Sequence, residues 1–173
     1  MSGDGVIDTV EELVAHSLAI ETEAAERYED LADQMEVHNN PEVAALFRKL
    51  AEIEGKHVAK VEDMGRGRTL PHIPPWEYKW GAGESPEAPQ DAEVHYLMSP
   101  HQALVFALAG EERAAEFFAR VAAEASDETV RAMARELHDE ERQHVELVKR
   151  WMERYPPPES GWDEDPDPPV MPE

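Results

Sequence analysis

Leu50-Ala51-Glu52-Ile53-Glu54-Gly55-Lys56-His57 and Leu137-His138-Asp139-Glu140-Glu141-Arg142-Gln143-His144 repeat one pattern 87 residues apart: a Leu, a Glu four residues on, a His three further. Residues at i, i+4 and i+7 share one face of an α-helix. Leu50, Glu54, His57 and Val61 therefore line one face, and Leu137, Glu141, His144 and Val148 line another. A second pair repeats at an offset of 90: Ala19, Glu21, Ala24, Ala25 and Glu26 recur as Ala109, Glu111, Ala114, Ala115 and Glu116, with Tyr28 matched by Phe118. A duplicated helical hairpin is the simplest account of both repeats.

Working outward, four segments carry helical period. Segment A runs from about Thr9 to Glu36, with Thr9 and Glu12 spaced as a capping box and an apolar stripe of Val10, Leu13, Val14, Leu18, Ala25, Tyr28, Leu31 and Met35. Asn39-Asn40-Pro41 interrupts it, and Pro41 suits the first turn of segment B, which ends at Gly65. Segment C opens on Ser99-Pro100, and segment D opens after Ser126 as N-cap and stops before Pro156-Pro157-Pro158. Short A–B and C–D connections predict antiparallel hairpins over 9–64 and 100–155. Residues 65–99, rich in Pro and carrying Trp76, Tyr78 and Trp80, are too long for a tight turn. They predict a crossover that makes B and C parallel and packs its aromatics on the bundle or on a second subunit. The expected fold is all-α: a ferritin-like antiparallel four-helix bundle spanning 1–155 with a long B–C crossover, followed by an acidic, Pro-rich tail at 156–173.

Four acids sit where a soluble helix should bury apolar groups. Glu21 falls among Leu18, Ala25 and Tyr28, and Glu111 falls among Leu108, Ala115 and Phe118. With Glu54, His57, Glu141 and His144, four carboxylates and two imidazoles point at the core. Burying an unpaired carboxylate costs several kcal/mol, and four together repel one another. Two divalent cations would neutralise them, and bridging carboxylates hold such pairs ~3.5–4 Å apart. Oxygen ligands with two imidazoles suit iron or manganese. Glu26 and Glu116 repeat but lie off this face, His138 reads as surface, and Met35, Met64 and Met133 read as core filler. His16, His38, His72, His95 and His101 form no ligand pattern.

On these residues the chain resembles the rubrerythrin/ferritin-like di-iron carboxylate superfamily, in particular a rubrerythrin-type domain standing alone, over about 9–155. The resemblance implies two iron ions, with manganese as the other option, held by Glu21, Glu54, His57, Glu111, Glu141 and His144. It implies that Glu54 and Glu141 bridge while Glu21 and Glu111 are terminal, and that Tyr28 hydrogen-bonds behind the ligands; the same tyrosine also reads as a core aromatic. Phe118 has no hydroxyl, so the two halves are not equivalent. The inward neighbours of Glu111 are Leu108, Ala114 and Ala115, where rubrerythrins carry an additional Glu, so the ligand set is closer to that of ferritin and bacterioferritin centres. The resemblance implies an oxidoreductase of oxidative-stress defence, a peroxidase or ferroxidase acting on O2 or hydrogen peroxide. The alternative is an iron-binding, storage or delivery protein, and a third possibility is a metal-free bundle with protonated acids.

Composition narrows the partners. The 173 residues hold 39 Asp and Glu against 16 Lys and Arg, a net charge of −23, which disfavours nucleic acid and anionic membranes. No cysteine is present, which removes disulfides, thiolate-ligated zinc and a rubredoxin-type iron centre, so electrons must come from an external donor. No apolar run approaches the ~20 residues of a membrane span, and no secretory signal is visible, so a cytoplasmic location is expected. The aromatic crossover and the assembly habits of similar proteins suggest a homodimer.

Overall fold

The computed structural model describes residues 5–81, 85–86, 95–157 and 159–161. Much of the acidic tail expected at 156–173, and positions 82–84 and 87–94 of the crossover, lie outside the described residues. Four helices run in order: α1 Val10–Val37, α2 Pro41–Met64, α3 Pro100–Glu124 and α4 Glu128–Met152. One 3₁₀ turn, Pro75–Glu77, interrupts the crossover, and there is no strand among the described residues.

The start signals work through side-chain caps. Thr9 Oγ1 accepts from Glu12 N–H at 3.1 Å, and Ser99 Oγ accepts from Gln102 N–H at 3.3 Å. At α4 the sequence expectation needs correction: Asp127, not Ser126, is the N-cap, accepting from Val130 N–H at 3.0 Å. An ionised carboxylate is the stronger acceptor beside the positive helix start. Ser126 instead gives its N–H and hydroxyl to Asp8 Oδ1, at 2.6 and 3.0 Å, which ties the start of α4 to the start of α1.

α1 packs on α2, and α3 on α4, as antiparallel hairpins. Asn40 Nδ2 donates to the carbonyls of Met98 (2.9 Å) and Tyr96 (3.3 Å), so the starts of α2 and α3 lie side by side and these two helices are parallel. The buried apolar residues form two clusters. One joins Tyr28, Leu31 and Met35 of α1 to Phe47, Leu104 and Val148; the other joins Leu13 and Ile20 to Val61, Phe118, Val130 and Leu137. The stripe of α1 is centred on Leu13, Ser17, Glu21, Ala24 and Tyr28, which leaves Leu18 and Ala25 half-buried on its flank. On α4 Val145 is buried and Leu147 half-buried.

The crossover is fastened to the bundle, as one of its two expected packings requires. Tyr78 and Trp80 stack at 4.8 Å and both meet the edge of the buried His16 ring at 5.1 Å, while Trp80 also meets Phe117. A backbone N–H can only donate, so Lys79 N–H at 2.9 Å fixes His16 Nε2 as acceptor and leaves Nδ1–H for the Glu12 carbonyl at 2.8 Å. Burial holds the His16 pKa below its usual value, opposed by the Glu12 contact, in keeping with this neutral tautomer. Lys79 Nζ binds the Val6 carbonyl and Glu12 Oε2, and Arg120 grips the Lys79 carbonyl at 2.9 Å. Gly81 turns at φ +88° against Arg120, where a Cβ would lie 1.6 Å from Nη1.

His16→Ala is expected to destabilise the protein by about 3 kcal/mol, from two lost buried hydrogen bonds and a cavity. Thermal unfolding should show a drop of about 10 °C. Trp80 emission should shift red as the crossover lifts; an unchanged melting temperature would remove His16 as the fastening.

Candidate metal centre

The layer between the two apolar clusters is ionic. Glu21, Glu54, Glu111 and Glu141 are 1 to 2% exposed and His144 8%, and His57 lies at the edge of the layer. Each hairpin brings one Glu from its first helix and a Glu-x-x-His pair from its second. Glu54 and Glu141 come within hydrogen-bonding reach of both Glu21 and Glu111. His144 Nδ1 lies 3.2 Å from Glu111 Oε2, 3.7 Å from Glu54 Oε1 and 3.8 Å from Glu141 Oε2. His57 Nδ1 lies 3.7 Å from Glu21 Oε1, and the two imidazole rings are 4.1 Å apart.

Ligand atoms converge in two groups, Glu21–His57–Glu141 and Glu54–Glu111–His144, each within 4.8 Å. The two groups draw on both hairpins, so neither half of the repeat makes a site alone. All six sequence-predicted positions are brought together. Glu54 and Glu141 each approach both other carboxylates, whereas Glu21 and Glu111 fall in different groups.

The electrostatics are those of a site built for cations. No donor reaches Oε1 of Glu21, Glu54 or Glu141, although each is buried. Burial pushes the Glu141 pKa up to about 7, assisted by the charge of Glu54. Burial raises Glu54 and, together with Glu141 and Glu54, holds Glu21 well above the usual carboxylate range. Burial lowers both His57 and His144 to about 4, with the neighbouring His144 adding to the effect at His57. The imidazoles are therefore neutral at physiological pH, the form that binds metal. Orphaned buried carboxylate oxygens beside neutral imidazoles fit hard divalent cations.

A family model described as rubrerythrin matches residues 12–152. The chain belongs to the rubrerythrin family. This family is one of di-iron carboxylate bundles, and the paired Glu and His clusters are its candidate metal sites here. Among solved structures, an uncharacterized conserved protein from Magnetospirillum magnetotacticum MS-1 is 37% identical, with coverage of 87% of this chain and 98% of that one and a TM-score of 0.67. A hypothetical protein from Pyrococcus furiosus is 25% identical over 84% of this chain and 89% of that one, with a TM-score of 0.48. No curated protein matches the chain.

Other expected positions fall as follows. Tyr28 is buried in the apolar cluster beside the ionic layer, stacked on Phe47 at 6.0 Å, whereas Phe118 is buried in the opposite cluster. The two halves are thus unlike around the site. Glu26 and Glu116 are exposed, and His138 sits on the surface beside Asp139. The role of His16 was not foreseen; its spacing with Leu13 and Ile20 on the apolar face was the available signal. No helix among the described residues is long and apolar enough to cross a membrane.

Proposed function

We propose that this rubrerythrin-family chain is a dinuclear non-haem iron oxidoreductase that reduces hydrogen peroxide or O2 with electrons from an external donor. The observation that carries the reading is the set of orphaned oxygens on Glu21, Glu54 and Glu141 facing two neutral imidazoles. Glu21, Glu54, His57, Glu111, Glu141 and His144 are the proposed ligands, and manganese is the other metal that they suit. A ferrous pair held there would supply two electrons, which with two protons would take peroxide to two waters or O2 to peroxide, and the external donor would restore them.

The chain's own residues prepare that chemistry. Glu21, Glu54 and Glu141 release the protons that burial favours as cations enter. His144 Nδ1, held against Glu111 at 3.2 Å, is preset toward the carboxylates. The apolar clusters on both sides limit bulk water at the layer. The absence of cysteine means that no thiolate-held iron centre on this chain delivers the electrons.

The test is anaerobic loading with Fe2+, elemental analysis, then stopped-flow mixing with H2O2 and with O2. Two irons per chain and oxidation well above the rate of free Fe2+ are expected. Oxidation no faster than free Fe2+ would overturn the enzyme, and uptake of many more irons per chain would favour storage. We also propose a homodimer, supported by the indole of Trp76, which stands 82% exposed on the crossover; sedimentation giving a monomer would overturn this.

A further inference from the structure

A small cavity opens between α1 and α3, bounded by Ala24, Arg27, Tyr28, Phe106, Gly110 and Arg113. Its volume is about 10 Å³, room for about one water molecule. Its position relative to the ionic layer is set by the helices. Gly110 is the residue before Glu111, and Ala24 lies one turn, about 4.5 Å of rise, beyond Glu21. Two wall residues thus neighbour proposed ligands along their own helices, although no ligand side chain lines the cavity itself. Gly110 contributes no side chain, so nothing from that position fills the space.

The charge bordering this cavity is opposite in sign to the net charge of the molecule. The chain carries −23, and an anion approaching four buried carboxylates meets repulsion from nearly every direction. Here two guanidinium side chains, from different helices, border one cavity with a phenol. Arg113 is also positioned: its Nε–H donates to the carbonyl of Pro86 at 2.7 Å, so the crossover holds it in place. Guanidinium N–H groups bind the lone pairs of small oxygen and nitrogen ligands, and planar forks favour anions.

We propose that this cavity is the port by which small anions and peroxide-sized polar molecules reach the carboxylate–histidine layer, with Arg27 and Arg113 as its selecting residues. The proposal rests on the dinuclear reading for what lies beyond the port, but anion binding at the port does not require metal. A space for about one water takes a molecule of two or three heavy atoms only if the bordering side chains move, which disfavours branched organic hydroperoxides.

Azide is the probe. In the metal-free full-length protein, azide titration is expected to shift the Nε–Hε NMR signals of Arg27 and Arg113 and not that of Arg131, which does not line the cavity and pairs with Glu128 at the start of α4. Unmoved Arg27 and Arg113 signals overturn the port, whatever the metal content. In iron-loaded, oxidised protein, Arg27→Gln is expected to slow azide association about tenfold and flatten its salt dependence. Arg131→Gln should leave both unchanged. Iron per chain is measured on each sample: a wild type without two irons overturns the dinuclear reading, and an Arg27→Gln protein with two irons and wild-type association overturns the port.

Discussion

Glu54→Ala is expected to remove metal binding rather than weaken it slightly. Glu54 belongs to the Glu54–Glu111–His144 group, its Oε1 lies 3.7 Å from His144 Nδ1, and it also comes within reach of Glu21 in the other group, as the proposed bridging role would need. Deleting groups that merely support a ligand costs about 10–100-fold in metal affinity. Deleting a carboxylate shared by both positions should cost more than about 100-fold at each. Elemental analysis after dialysis should fall from two metals per chain to none. Glu26→Ala, on an exposed acid of the same helix as Glu21, should retain two. Retention of two metals by Glu54→Ala would overturn the shared role, and equal loss in Glu26→Ala would show that the surface charge, not the layer, binds the metal.

Such a sharp expectation is legible in the sequence because the layer is written in helical period. Glu21, Glu54, Glu111 and Glu141 are conspicuous only because Leu, Val and Ala flank them at i±3 and i±4, and the duplication shows the same breach twice. Local rules also fixed Thr9, Ser99 and Pro41 at helix starts, since a cap acts within three residues. What was not legible depends on distant partners. Ser126 and Asp127 are both good caps, and the carboxylate wins at the helix start while Ser126 is engaged by Asp8, a partner far away in sequence. His16 has no ligand pattern because its partners, Lys79, Tyr78 and Trp80, come from an aperiodic crossover. Leu18 and Ala25 lie half-buried on the flank of the stripe, Leu18 still packed on the core, because Ser17 and Glu21, both polar, occupy its centre. A stripe located by apolar residues alone drifts toward its flank when the core holds charges.

The same charges predict opposite pH behaviour with and without metal. In the metal-free protein Glu141 titrates near 7, so between its ordinary value of 4.5 and 7 the folded state keeps a proton that the unfolded chain has released. Stability therefore falls as pH rises through this window, by roughly 3 kcal/mol for Glu141 when the window is complete. Glu21 and Glu54, raised by burial, add losses of the same sign. His57 and His144 act oppositely: with folded values near 4 they bind fewer protons than the unfolded chain, so stability rises with pH between about 4 and 6.5. Above 6.5 the imidazoles no longer contribute, and the carboxylates alone set the slope, so the metal-free protein should lose stability from pH 6.5 to 8.

Metal reverses this slope, because its ligands must be deprotonated and binding becomes tighter as pH rises. Free metal at a thousand times its dissociation constant adds about 4 kcal/mol per site, so two sites should raise the melting temperature by about 20 °C at pH 8, and by less at pH 6. Glu141→Gln separates the two effects. The amide keeps the shape and carries no charge, so the metal-free variant should melt higher than the wild type at pH 8, with a flatter pH profile. Its metal increment should be largely lost. Melting curves at pH 6, 7 and 8, with chelator and with anaerobic Fe2+, read all of this in one series. A Glu141→Gln variant that is less stable than the wild type in chelator at pH 8 would mean that Glu141 is compensated within the protein, and the layer would then need no cations.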